Sequence, residues 1–351
     1  MSTPVHAPAL VAVTGANGFI ASHLIATLLA DGYRVRGTVR NPADEARTAH
    51  LRALPGAAER LEIVAGDLLV PGSFDAAFAG CEGVFHAAAA VFFVSKDAQR
   101  EIIDPSVQGT LNALEAAKKA GVKRFVHTSS MAAVYHWDAP NDHVFTEADW
   151  NTTSTVVTDP YGAAKVAAER VSSQWMARLP EAERFDLVHL NPGMVFGPPM
   201  IKAHAKASPR FVRDIGSGTL PGLPRMMFSV VDVRDVALAH VAAMQHDNPP
   251  ERCILAKEDL YLPQIAARLS ALFPDLRMTT RTLPKPMVLV AGLFIPEVNV
   301  RQVYYLSGRP LNMNHSLVKR AYGLDFRPVD ETLRDTLAVM VEQGWAKVSR
   351  K

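Results

Sequence analysis

Tyr161 and Lys165 stand four residues apart in Tyr161-Gly162-Ala163-Ala164-Lys165. On a helix that spacing puts both side chains on one face. Asp159-Pro160 ahead of them reads as a helix start, with proline in the first turn. A free phenol ionises near pH ~10, too high for acid–base work near neutrality. A neighbouring ammonium favours the phenolate, so Lys165 is expected to lower Tyr161. Such a phenol can give a proton to a carbonyl oxygen, or take one back, while a hydride moves at the carbon. Ser130, in His127-Thr128-Ser129-Ser130-Met131, offers a hydroxyl for the same oxygen, with Ser129 the competing serine. No GxSxG elbow surrounds Ser130, which argues against a serine hydrolase. A tyrosine and lysine at this spacing are also common as a plain surface pair, so their meaning depends on the elements around them.

The second chemical signal is the turn Thr14-Gly15-Ala16-Asn17-Gly18-Phe19-Ile20-Ala21. Glycine is needed where a chain turns sharply and where backbone must approach a pyrophosphate. The helix that follows turns its unpaired N–H groups and positive dipole end toward that phosphate. Gly15 and Gly18 fill the strict positions, and Ala21 takes the third. NAD-binding folds usually end the second strand on Asp or Glu, for the ribose 2′-OH. Here that strand runs into Arg40, with Arg47 beyond it. A guanidinium there suits a 2′-phosphate, so the expected cofactor is NADP(H) rather than NAD. Asp67, after the third strand, is placed to meet the adenine edge.

These residues require a particular scaffold. Leu10–Thr14 is an unbroken apolar run, as in a strand buried on both faces of a parallel sheet. Ile20, Leu24 and Leu28 form a helix stripe that ends at Asp31-Gly32. Further strands are predicted at 33–39, 61–65, 83–87, 125–129 and 185–190, with a helix over 105–120 before the fifth. Strands alternating with helices imply βαβ units and right-handed crossovers. The fold class is therefore α/β, a Rossmann-type doubly wound parallel sheet, with a smaller, discontinuous C-terminal substrate domain. Residues 1–191 plus 226–250 are assigned to the dinucleotide-binding domain, and 192–225 plus 251–351 to the substrate-binding domain.

Net charge is +2, from 37 basic and 35 acidic residues, which gives no reason to expect nucleic-acid binding. The two cysteines, Cys81 and Cys253, are far apart and read as buried thiols. No histidine spacing matches a metal motif, so no metal is expected. The first residues do not read as a signal peptide. The apolar stretch 287–295 is too short to span a bilayer and reads as a core helix or pocket wall, or as a lid that touches a membrane. A soluble cytoplasmic protein is the expectation, with no membrane insertion. Helices at 105–120 and 160–178 leave a homodimer open.

Taken together, TGANGFIASHL, GYRVRGTVRNP, GDL, VFHAAA, GTLNALEAAKKAGVKRFVHTSS, YGAAK, NPGMVFGPP and FSVVDVRDVALAH resemble the motifs of the extended short-chain dehydrogenase/reductase family, in its order. Within it the chain looks most like the branch of dihydroflavonol reductases, cinnamoyl-CoA reductases and microbial aldehyde and ketone reductases. The resemblance is good over about residues 10–245 and looser beyond. It implies Ser130, Tyr161 and Lys165 as a catalytic triad, with Tyr161 and Lys165 also touching the cofactor, Lys165 at the nicotinamide ribose. It implies cofactor contacts from Gly15, Asn17, Gly18, Phe19 and Ile20 of the turn, from Arg40 and Arg47 at the adenosine phosphate, and from Asp67 and Leu68 around adenine. Ala87, Ala88 and Thr128 would line the groove, and Pro192, Gly193 and Val195 would back the nicotinamide. The loop after Ser130 departs from the plant flavonoid pattern, which argues against a flavonoid substrate.

Pocket residues are expected at Phe92 and Phe93, at Met131 and Tyr135, and at Met194 and Met226. Adaptable methionines beside aromatic rings suit a hydrophobic carbonyl compound. The expected reaction is reversible hydride transfer between NADP(H) and an aldehyde or ketone. The alternatives on the same scaffold are a nucleotide-sugar epimerase or dehydratase, a 3-hydroxysteroid-type dehydrogenase, and a dinucleotide sensor without turnover.

Overall fold

The computed structural model describes residues 3–89, 97–292 and 300–351. Among them seven strands form one wholly parallel sheet, in the order β3-β2-β1-β4-β5-β6-β10. They are β1 (Leu10–Thr14), β2 (Arg34–Val39), β3 (Leu61–Ala65), β4 (Gly83–His86), β5 (Arg124–Thr128), β6 (Asp186–Pro192) and β10 (Arg252–Leu255). The order reverses between β1 and β4, so a crevice opens at their carboxyl ends, where such sheets bind ligands.

The apolar sequence runs are what make this sheet. Val11, Val13 and Val35 are buried with Leu24, Leu28 and Leu29 of helix Phe19–Ala30 and with Val236 and Ala239 of helix Val233–Gln245. On the other face Val84 and Phe125 pack with Ala113, Leu114 and Ala117 of helix Asp104–Ala120. That helix also packs on helix Pro160–Arg178 of the same chain, where Trp175 Nε1 donates to Glu115 at 2.8 Å. Both cysteines are buried and free.

A second core forms around β7 (Met194–Phe196), β9 (Met227–Asp232) and β11 (Glu258–Tyr261), covered by helices Leu262–Leu272 and Val329–Glu342. A short parallel pair, β8 (Leu223–Pro224) with β12 (Thr282–Leu283), lies beyond. The strands do not divide the chain at the expected points. Of residues 226–250, expected in the dinucleotide-binding domain, helix Val233–Gln245 packs in the large core, but β9 belongs to the small sheet. Of 251–351, expected in the substrate domain, β10 is the seventh strand of the large sheet, in register with β6. Val318 and Phe326 also join the large core. A four-residue strand buried at every position, as β10 is, has no alternation that would mark it in sequence.

Of the stretch 287–295, residues 293–295 lie outside the described residues; in helix Lys285–Gly292, Met287 is 52% and Val290 58% exposed. Among the described residues no helix is long and apolar enough to cross a membrane.

Gly193, between β6 and β7, is required by close packing. A Cβ there would lie 2.0 Å from the Ser229 carbonyl oxygen on β9. Gly193→Ala is expected to cost about 1–3 kcal/mol, as overpacking does. A lowered denaturant midpoint at constant slope would show it.

Candidate active site

β5 delivers two serines to the crevice, and they turn to different partners. Ser129 is buried and its hydroxyl donates to the Glu169 carboxylate. Ser130, in extended backbone, accepts the Ala132 N–H on its Oγ at 3.1 Å. Its hydroxyl is also hydrogen-bonded to the Tyr161 phenol. Ser130 is thus the serine that shares a site with Tyr161.

Helix Pro160–Arg178 starts with Pro160 in its first turn and carries Tyr161, Lys165 and Glu169. Lys165 is buried and donates from Nζ to the Thr128 carbonyl at 3.1 Å. Burial lowers its ammonium to about 8, opposed by the charge of Glu169. Tyr161 moves the other way. Burial raises its phenol above the usual value, the Ser130 hydrogen bond opposes the rise, and the charge of Asp159 adds to it. This reverses the expectation that Tyr161 is lowered: removing the phenolate from water outweighs any help from Lys165.

Glu169 was not anticipated. It is fully buried and binds Arg252 Nε on β10 at 2.5 Å and Asn191 Nδ2 on β6 at 2.9 Å. Asn191 Nδ2 also donates to the Ser130 carbonyl at 3.1 Å. Arg252 lies over the Trp150 ring, 4.0 Å from its centroid, and donates to the Asp149 carbonyl at 2.7 Å. One buried carboxylate therefore ties the lysine helix to β5, β6 and β10. Its signal in sequence was its place one helical turn after Lys165. Beside it His86, His127 and His189 sit in register across β4, β5 and β6. Burial lowers all three, His86 to about 3, so Lys165 is flanked by neutral imidazoles.

The glycine turn has the shape a dinucleotide needs. Gly15 has φ +65°, and a Cβ on it would come within 3.0 Å of Ala88 Cα. The Gly18 N–H donates to the Gly15 carbonyl at 2.8 Å, and helix Phe19–Ala30 starts with no side chain capping its N–H groups. Thr14 Oγ1 accepts the Ala88 N–H at 3.0 Å, which joins β1 to the segment after β4 that holds Ala87 and Ala88. The Asn17 carbonyl is held by His204 Nε2 at 3.1 Å, and Phe19 packs edge-on against His23. Ile20 packs on the large core.

Arg40, just past the end of β2, is exposed and makes no ion pair among the described residues. Arg47 is exposed and lies 3.6 Å from the Asp44 carboxylate. Asp67 Oδ1 accepts the Leu69 N–H at 2.9 Å and so caps its own turn. Leu68 lines a small cavity with His86, Ala88, His127 and Lys165. The Thr128 hydroxyl is committed to His240 at 2.8 Å and its carbonyl accepts Lys165 Nζ. Pro192 ends β6, Gly193 N–H bonds the Leu255 carbonyl at 2.9 Å, and Val195 is buried in β7.

The NAD-dependent epimerase/dehydratase family model matches residues 11–256, which span the sheet, the glycine turn and the Ser130, Tyr161 and Lys165 group. The chain belongs to this family. It is 32% identical over 350 residues to cinnamoyl-CoA reductase CAD2 of Medicago truncatula, with 97% of this chain and 98% of that one covered. Among solved structures, yeast methylglyoxal/isovaleraldehyde reductase Gre2 complexed with NADPH superposes with TM-score 0.80 at 26% identity, covering 96% of this chain and 99% of the other. Gre2 of Candida albicans in complex with NADPH gives 0.79 at 27%, covering 95% and 99%. Within the family the chain groups with the extended short-chain dehydrogenase/reductases, in the branch of cinnamoyl-CoA and dihydroflavonol-type reductases.

For this family member, the expected pocket residues divide between two apolar clusters. Met131 and Tyr135 pack with Phe145, Leu311 and Met313. Met194 and Met226 pack with Phe211 and Phe228 in the core of the small sheet. Tyr135 is held edge-on to Phe145, and burial raises its phenol to about 12. Phe92 and Phe93 lie outside the described residues.

Proposed function

We propose that the protein reduces aldehydes or ketones with NADPH, reversibly, at Ser130, Tyr161 and Lys165. The observation that carries the reading is the Ser130–Tyr161 hydrogen bond beside buried Lys165, at the carboxyl end of β5. The glycine turn fits the cofactor: a Cβ would fill the space above Gly15, and the following helix start has N–H groups to spare. Gly15, Asn17, Gly18, Phe19 and Ile20 would hold the pyrophosphate end, and Ala87, Ala88, Pro192, Gly193 and Val195 the nicotinamide end. Bound there, NADPH supplies the hydride, and the protein supplies position and proton.

Ser130 donates a hydrogen bond to the substrate carbonyl oxygen. Tyr161 gives that oxygen its proton as charge develops on it, and takes one back in the reverse direction. The Lys165 ammonium offsets the negative charge left on the phenol. The apolar side chains of Met131 and Tyr135, and of Met194 and Met226, favour a substrate with a hydrophobic body.

Arg40 favours NADP(H) over NAD(H). Its exposed guanidinium matches a 2′-phosphate, and among the described residues no carboxylate pairs with it. A hydrogen bond to a charged group contributes about 1.5–3 kcal/mol. Arg40→Ala is therefore expected to raise KM for NADPH about 10- to 100-fold, with little change for NADH. Equal losses with both cofactors would contradict the assignment.

The test of the reaction is oxidation of NADPH, and separately NADH, with a panel of aromatic and aliphatic aldehydes, ketones and one nucleotide sugar. Turnover of a carbonyl compound, faster with NADPH, supports the proposal. Tightly held NAD with conversion of the nucleotide sugar alone would replace it with an epimerase or dehydratase.

A further inference from the structure

The segment after Ser130 leaves the sheet and crosses to the C-terminal part of the chain. The Phe145 N–H donates to the Asn312 carbonyl at 3.0 Å, and the Asn314 N–H donates to the Phe145 carbonyl at 2.8 Å. Asn312 Nδ2 holds the Asn141 carbonyl at 2.8 Å. Pinned in this way, Phe145 becomes a hub for imidazoles. His136 lies edge-on with its centroid 5.2 Å away, and His143 edge-on at 4.6 Å.

Both rings also meet carboxylates. His143 Nε2 is 3.1 Å from Asp149 Oδ1. The other oxygen of Asp149 accepts the Thr146 N–H at 2.7 Å and the Thr146 hydroxyl at 3.1 Å, which fixes the carboxylate plane. His136 Nδ1 is 2.7 Å from Asp138 Oδ1. One ligand atom each from His136, His143 and Asp149 lie within 4.8 Å of one another. The three side chains are 22%, 34% and 21% exposed, so an ion can reach them from solvent.

We propose that His136, His143 and Asp149 form a binding site for one divalent ion of the zinc class, with Asp138 and Thr146 orienting the ligands. Zinc bonds of about 2.0–2.2 Å to imidazole nitrogen and carboxylate oxygen require tetrahedral ligand separations of roughly 3.4 Å. His143 Nε2 and Asp149 Oδ1, now hydrogen-bonded at 3.1 Å, need open by only a few tenths of an ångström, so closure asks mainly for a shift of His136. Two imidazoles with one carboxylate select a first-row transition ion over calcium or magnesium, which take oxygen donors. A carboxylate behind a ligating histidine is the usual way such rings are held. The ligands are spread over an irregular loop, so no short ligand spacing marks them in the sequence. The ion would cross-link positions 136, 143 and 149 and so close on itself the loop that carries Tyr135 and Phe145.

The tag-free full-length protein, stripped with a chelator, is titrated with zinc chloride by calorimetry and analysed for bound metal after dialysis. One zinc per chain is expected, with a zinc-dependent rise in Tm. His136→Ala and His143→Ala should each weaken binding about 10-fold or more, and Asp138→Asn less. His50 stands edge-on to His204, which holds the Asn17 carbonyl of the glycine turn, so His50→Ala should leave zinc binding unchanged. Should His143→Ala fold poorly, His136→Gln and Asp149→Asn test the same ligands. Absence of saturable binding overturns the proposal. So does zinc binding that survives loss of His136 and His143 but not of His50.

Discussion

Tyr161→Phe is expected to lower kcat for carbonyl reduction about 10²–10⁴-fold, the usual contribution of a positioned general acid. NADPH affinity should fall far less than kcat. The substitution removes one hydroxyl and keeps the ring, so the packing of helix Pro160–Arg178 is preserved. Ser130 remains to polarise the carbonyl, which is why a residual rate is expected. The pH profile supplies an independent check. Burial holds Lys165 at about 8, so its ammonium is present below that pH and lost above it. With Lys165 neutral, nothing offsets the phenolate that forms as Tyr161 gives up its proton, and the reductive rate should fall as pH rises through about 8. Steady-state kinetics of wild type and variant, with NADPH binding followed by fluorescence, would decide. A Tyr161→Phe enzyme within a few-fold of wild type would remove Tyr161 as the proton donor.

The features legible in the sequence were those whose cause is local. The apolar run of β1, the glycine turn and the four-residue step from Tyr161 to Lys165 each depend on neighbours a few residues away. The parallel sheet followed from alternating elements, and its order reverses where the glycine turn needs it. What was not legible depends on distance along the chain or on burial. Glu169 was within sight of Lys165, but its partner Arg252 sits on a strand assigned elsewhere, so neither the pair nor the role of β10 was foreseen. The direction of Tyr161 was reversed because spacing reports a nearby cation and does not report desolvation. Met131 and Tyr135 pack in one apolar cluster, and Met194 and Met226 in another. An apolar side chain in a loop or short strand has no periodicity to say which core it joins.

Glu169→Ala is expected to destabilise the fold by about 3–5 kcal/mol, the cost of breaking a buried ion pair by removing one partner. The Glu169 side chain is 0% exposed and that of Arg252 8%, so the guanidinium would keep its burial and lose its carboxylate. Asn191 and Ser129 would lose a partner in the same step. Denaturant unfolding would measure this, and a loss below about 1 kcal/mol, the scale of exposed pairs, would mean that water reaches Arg252. Glu169→Gln separates the charge from the volume. The charge of Glu169 raises Lys165 against the effect of burial, so its removal should move Lys165 below about 8. The alkaline fall in the reductive rate should then begin at lower pH, a change that loss of packing alone would not produce. Stability should follow with the opposite slope. The folded value of Lys165 lies below its ordinary 10.5, so between about 8 and 10.5 the unfolded chain binds more protons and stability gains from this group as pH rises. In Glu169→Gln that window extends to lower pH. A variant whose rate and stability profiles both keep the wild-type positions would show that Glu169 holds the helix in place without acting on the charge of Lys165.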